Sequence, residues 1–486
     1  MVDMNPGPAA REVLTEKRDV HLGLLDIIVP IGGLAVLWYG LVESFDLPSL
    51  IGMLNALVCL QQISWNVRRN SGGPVTLTFW AFALVWLCVA PIAQLQAGSL
   101  PWPDARLDAY YVGAQLITTV ALLSYAVGAS FARRKAPGPL IDGGRVHTSQ
   151  VGVVSYKRMW VPFGIALFLA APVILLTGGI AGRFATRDEV GSAFAQSGIS
   201  AAGGDTIQLF FLNRLPAAAA LVAAYAAAHY YFQFIRKNQG PKLPAILLAI
   251  LGILLVVLLA NPFSSSRYIA FGAIAAVLLA VIRIDTPGRR ITFATISVVG
   301  LVVIYPLATW FKRDSVRTSL LRGVPEMFYT VDFDGFQQIV NSMYFVEQHG
   351  HTFGQYVVSA FLFFVPRALW EGKAMPASLD VAAARGYDFQ NLSMPVWSEF
   401  FIDFGILGVV FGLAAFGFVA ARLDLAYHRH PFSMSAHLCV LFAVCQFGLL
   451  RGPLGAQVVF MGSVIIIGYF VFRNSSVDNL EKSGAI

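Results

Sequence analysis

The chain is 486 residues long, 57% of them hydrophobic and only 13% charged. That balance excludes a water-soluble globular domain: a bilayer core takes about 20 consecutive, mostly apolar residues per helix, and such runs follow one another from end to end. Lys and Arg outnumber Asp and Glu by 34 to 27, a formal net charge of +7. These cations cluster beside the apolar runs, so membrane lipid is the expected partner and nucleic acid is not.

The pattern predicts an all-α, polytopic integral membrane protein with about twelve transmembrane helices and one large late extracytoplasmic loop. Residues 1–22 are expected to be a cytoplasmic tail. They lack the charged-then-apolar layout of a cleavable signal, so the first span is expected to direct insertion. Spans are predicted at roughly 23–43, 47–65, 75–97, 109–131, 159–177, 207–235, 243–260, 268–283 and 291–311, a nine-span region over 23–311. The loop covers 312–395. Three more spans, at roughly 396–420, 434–450 and 456–472, fill 396–472 before a second tail, 473–486. Basic pairs such as Arg68 with Arg69, Arg133 with Arg134, Arg236 with Lys237 and Arg289 with Arg290 mark alternate connections. The positive-inside bias then puts both termini in the cytoplasm. Cys59, Cys88, Cys439 and Cys445 all fall inside apolar runs, where they read as small packing residues.

The long loop contains an apolar piece of its own, Gln355 to Trp370, which ends in Pro366 and Arg367. Its apolar part is short for a span and suits an interfacial or re-entrant helix over 355–370. Arg367 and Lys373 would then sit near lipid headgroup depth.

Cations on the side that the sorting bias disfavours are functional candidates. Arg183 and Arg187 lie in GGIAGRFATRDEVGSAFAQSG, Arg214 lies about two turns into its span in FFLNRLPAAAA, and Arg313 lies in the long loop. Arg451 ends the eleventh span. Arg267 follows Ser264, Ser265 and Ser266, and three hydroxyls with a guanidinium fork make a plausible anion cradle. The alternative for each is snorkelling to lipid phosphate. The carboxylates on this side are Glu189, Asp332, Asp334, Glu347, Glu399 and Asp403, with Glu399 and Asp403 one helical turn apart. His349 and His351 make only a weak metal pattern, so no metal site is expected. No phosphate loop, dinucleotide fingerprint or zinc motif is present, and no cofactor is expected.

The order HGHTFG, FLFFVPRALWEGK, NLSMPVWSEFFIDFGILG resembles the oligosaccharide repeat unit polymerases, the Wzy-type O-antigen polymerases. The residues that carry the resemblance are Pro366, Arg367, Trp370, Lys373, Asn391, Ser393, Pro395, Glu399, Asp403, Phe404 and Gly405, with the Ser-rich turn ending in Arg267. The chain departs from the family at Trp370-Glu371-Gly372-Lys373-Ala374, where Trp-Pro-x-Lys-Pro is usual. The resemblance implies a glycosyltransferase of the bacterial cytoplasmic (inner) membrane that polymerises polyprenyl-diphosphate-linked oligosaccharide. Arg367 and Arg267 would stabilise the diphosphate leaving group, with Glu399, or else His349 or His351, as base. Substrate binding is expected at Arg183, Arg187, Arg214, Arg313, Lys373, Arg451, Trp370, Asn391 and His351, with Tyr344, Trp370, Tyr387 and Trp397 as sugar-stacking rings. A chain-length regulator protein is an admissible partner. An O-antigen ligase and a lipid-linked glycan flippase or transporter stand as alternatives.

Overall fold

A computed structural model describes residues 30–38, 41–42, 44–68, 72–102, 107–134, 156–196, 210–232, 242–305, 324–389, 392–429 and 433–473. Residues 1–22 and 474–486 of the two tails, Arg313 and Asn391 lie outside the described residues, as does the side chain of Arg187.

Every regular element among the described residues is helical. In chain order the principal helices are α1 (Leu47–Arg68), α2 (Pro74–Gln96), α3 (Tyr111–Arg134), α4 (Tyr156–Leu176), α5 (Arg187–Gln196), α6 (Leu215–Tyr230), α7 (Lys242–Leu259), α8 (Arg267–Val281) and α9 (Pro287–Val299). They continue with α10 (Gly335–His349), α11 (Gln355–Phe361), α12 (Ala377–Ala384), α13 (Val396–Arg429), α14 (Met434–Arg451) and α15 (Leu454–Phe472). Among the described residues, nine helices are long and apolar enough to cross a membrane, and two shorter apolar ones, Leu243–Leu259 and Arg267–Val281, accompany them. This is a multi-pass membrane protein. Nine of the expected spans coincide with the long helices and the seventh and eighth with the two shorter ones, while the first, 23–43, is only partly described.

Two helices form the interior. The sequence LPAAAALVAAYAAAHY of α6 is buried from Pro216 to His229, as a helix apolar all round should be, and its alanines let α4, α7, α8 and α15 approach closely. The second is α2, where Trp80 and Trp86 are fully buried. Outward, Phe168 and Leu175 of α4 and Leu247 and Leu254 of α7 are exposed, an apolar exterior that water would penalise and lipid does not. Glycine sets the tightest helix contact, between α3 and α13. A Cβ on Gly128 would overlap the backbone of Ala414, and one on Gly417 would overlap that of Tyr125. Small residues of this kind are how membrane helices come close.

Helix α13 is broken. Gly405 has φ 64° and ψ −153°, a region open essentially only to glycine. Residues eight apart in a straight helix are about 12 Å apart along the axis. Yet a Cβ on Gly408 would overlap the Phe400 carbonyl, and one on Gly412 would overlap the Phe400 ring. Residues 396–404 therefore double back along 406–412. The second limb, 406–429, has a length of about 36 Å and crosses a bilayer core unaided. The first limb then returns about 10 Å into the bundle, carrying Trp397 and Glu399.

The region after Tyr305 contains more helix than its sequence suggests: α10, α11 and α12, besides short 3-10 turns at Val324–Tyr329 and Val331–Phe333. Helix α10 is sunk into the bundle through Phe336, Ile339 and Val340. The apolar piece is helical only over the seven residues of α11, followed by turns.

Candidate functional site

Helix lengths place the cations. At 1.5 Å per residue, α7 and α8 rise about 27 and 22 Å, less than a bilayer core of about 30 Å. The turn between them carries Arg267 at the head of α8. Against it the 331–334 turn brings Asp332, whose carboxylate pairs with Arg267. Arg267 also donates Nη1 to the Tyr305 carbonyl at 3.0 Å and lies 4.6 Å over the Tyr305 ring. Arg451, the last residue of α14, approaches the same carboxylate at 3.9 Å. It donates Nε to the Asp332 carbonyl at 3.2 Å and Nη2 to the Val331 carbonyl at 3.4 Å. Arg214 donates Nη1 to the Tyr268 hydroxyl at 2.9 Å, beside Arg267 in sequence.

The turn holding Asp332 is fixed from below by α2. Trp86 Nε1 donates to the Asp332 carbonyl at 2.9 Å, and Gln94 Nε2 donates to the carbonyls of Phe328 and Phe333. Asp334 accepts from Trp102 Nε1 at 2.8 Å, from Gln338 Nε2 at 3.2 Å and from the Ser393 hydroxyl. Two guanidinium groups thus share one buried carboxylate, and both stay charged, since Arg remains protonated in proteins.

Glu399 is reached through the α14–α15 turn. It is buried, and it accepts from the Leu454 amide at 2.8 Å at the head of α15. The Arg451 carbonyl accepts from the Met394 amide at 2.8 Å. The doubled-back limb of α13 thus rests on the turn whose other side faces Asp332. Trp397 packs against Phe82 at 6.5 Å and is fully buried.

Set against known family models, curated proteins and solved structures, the chain matches none.

The other candidates have different surroundings. Arg367 donates Nη1 to the Lys373 carbonyl at 2.6 Å and Nη2 to the Ala374 carbonyl at 3.2 Å. Lys373 Nζ donates in turn to the carbonyls of Phe363 and Val365, at 2.8 and 2.9 Å. The two cations saturate carbonyls that the broken helix leaves open in apolar surroundings. Burial, and secondarily the charge of Arg367, lowers the pKa of Lys373. Trp370 is half-buried in the same turn. This loop touches the α15 head, where a Cβ on Gly455 would meet Pro376 at 3.9 Å. Arg183 is buried and donates to the carbonyls of Leu258 and Leu259, where α7 ends; a cation there complements the helix dipole, and burial lowers its pKa. Ser264 Oγ donates to Asn261 and Ser265 Oγ to the Leu259 carbonyl, so the serine cradle is built into its own turn.

His351 lies apart, with Nδ1 3.2 Å from the Ile402 carbonyl and the ring against Gly405. Asp403 accepts from the Thr352 hydroxyl at 2.5 Å and from the amides of Tyr356 and Val357 at 3.2 and 2.8 Å. Its carboxylate therefore caps α11, with an anion at a helix N-terminus as the dipole favours. The HGHTFG and DFG stretches meet as one joint. The structure brings together Arg267, Arg451 and Asp332, with Arg214 and Glu399 on adjoining turns. Sequence reading identified Asp332 only as one carboxylate of six, and it missed Tyr305, Tyr268 and Trp86. The available signal was the Asp-Phe-Asp run, two carboxylates flanking a core phenylalanine.

Proposed function

We propose that the protein is a membrane glycosyltransferase that polymerises polyprenyl-diphosphate-linked oligosaccharide repeat units into a surface polysaccharide. It would work on the extracytoplasmic face of a bacterial cytoplasmic membrane. The observation that carries this reading is the convergence of Arg267 and Arg451 on Asp332 at the turn between two short helices, with the resemblance of residues 350–410 in support. A diphosphate entering from the lipid would meet guanidinium forks suited to its oxygens.

In the reaction, the bond between the donor sugar's anomeric carbon and the diphosphate oxygen breaks. A new bond forms from that carbon to a hydroxyl of the acceptor's terminal sugar. The hydroxyl proton passes to a base, for which Glu399 is the candidate, and polyprenyl diphosphate leaves. Arg267, Arg451 and Arg214 would hold the charge growing on the leaving group, while Arg367 and Lys373 would shape the loop that closes over it.

The test is reconstitution. Pure protein in lipid nanodiscs, given lipid-diphosphate-linked oligosaccharide and neither nucleotide nor ion gradient, should yield a ladder of longer chains. The break at Gly405 favours a second reading, a lipid-linked glycan transporter, because discontinuous helices are a transporter device. Glycan movement that requires a gradient, with no ladder, would select it.

A further inference from the structure

We infer that Trp102, Tyr387 and Phe389 form a saccharide-binding platform beside the turn that carries Asp332 and Asp334, an assignment that rests on the glycosyltransferase reading. The Trp102 ring lies near-parallel to Tyr387, at 5.8 Å and 26°, and to Phe389, at 5.4 Å and 17°. The Arg385 guanidinium lies 4.8 Å over Tyr344 and 5.7 Å over Tyr387, so planar groups continue on from the ring cluster. Unlike Trp80, Trp86 and Trp397, which are core residues, these rings are partly open, and Phe389 is 42% exposed. Their surroundings are polar, with Gln337 and Asp334 in contact and the exposed Asp388 between Tyr387 and Phe389. Apolar ring faces rimmed by charged and amide groups suit the C–H faces and hydroxyls of a sugar.

The platform is also held in place. The Trp102 amide donates to Gln337 Oε1 at 2.8 Å, Gln337 Nε2 donates back to the Trp102 carbonyl at 3.0 Å, and the indole N–H is fixed on Asp334. A loop tryptophan fixed by three hydrogen bonds costs little entropy to use. Asp334 joins the two features: it anchors the indole two residues from Asp332, on which Arg267 and Arg451 converge. One turn therefore carries the paired arginines through Asp332 and the ring platform through Asp334. A sugar bonded directly to a diphosphate has that same juxtaposition of groups.

The probe is the free oligosaccharide released by mild acid from the lipid-linked pool of a strain lacking this protein, so that no diphosphate contributes. Full-length protein in nanodiscs is titrated by calorimetry. Saturable binding is expected, weakened at least ~5-fold by Phe389→Ala and by Tyr387→Leu, and unchanged by Arg422→Gln, a distant exposed residue. Because Phe389 is exposed, Phe389→Ala should fold even where Tyr387→Leu does not. Failure of wild type to bind, or equal binding by Phe389→Ala, overturns the platform. Ring-dependent binding without chain elongation would overturn the polymerase reading and leave the platform standing. Elongation with ring-independent binding does the reverse.

Discussion

Arg267 and Asp332, 65 residues apart in sequence, form an ion pair with side chains only 10% and 6% exposed. Removing one partner of such a pair leaves an uncompensated buried charge, which typically costs about 3–5 kcal/mol. Asp332→Asn should lower thermal stability in detergent by that order. Arg267→Gln with Asp332→Asn should cost less than the two single changes added. Additive losses would mean that the pair is not coupled.

For the reaction, Arg267→Lys keeps the charge but loses the fork. Chain growth should fall on the order of 100-fold, with normal insertion, while Arg422→Lys remains close to wild type. Near-normal elongation by Arg267→Lys would show that this residue serves the fold, through Asp332 and Tyr305, and not the reaction.

Gly405→Ala must accommodate a Cβ at a positive φ and 3.2 Å from the His351 ring. A loss of about 1–3 kcal/mol or more is expected. Gly462→Ala, whose Cβ would meet nothing within 4 Å, should leave the melting temperature unchanged. Equal melting curves would argue that the break at Gly405 is not required.

Lys373 gives a pH dependence of defined sign. Its folded pKa lies below the ordinary value of 10.5, so between the two the unfolded chain binds more protons and stability rises with pH. The contribution is complete above the unfolded value and is lost as pH falls through the folded one. Melting temperatures of wild type and Lys373→Met, compared across the alkaline range below the unfolded value, should diverge in favour of wild type as pH rises.

Orientation is testable with single cysteines. A cysteine at Gly372 should react with an impermeant thiol reagent from outside the cell, and one at Arg289, an exposed residue, only after permeabilisation. The opposite pattern would invert the proposed topology.

Sequence alone determined the long apolar helices, because the transfer of apolar side chains into lipid is a local property summed along the chain. Expected spans such as 47–65, 75–97 and 434–450 coincide with α1, α2 and α14 to within a few residues. It also marked Arg214, Arg267 and Arg451 as cations out of place. What the sequence could not decide was who meets whom. Arg451 and Asp332 are 119 residues apart, and their meeting depends on the shortness of α8, the dip of the 331–334 turn and the support of Trp86 from another helix. The same holds for Arg367 and Lys373: as a string they read as anion ligands, whereas in three dimensions their donors face carbonyls of their own loop. Periodicity likewise runs through Gly405 as one long helix, since a glycine costs a hydropathy pattern nothing. Only packing against Phe400 and His351 turned that helix back, because a backbone reversal is stabilised by contacts between limbs that are remote in a linear pattern and adjacent only once folded.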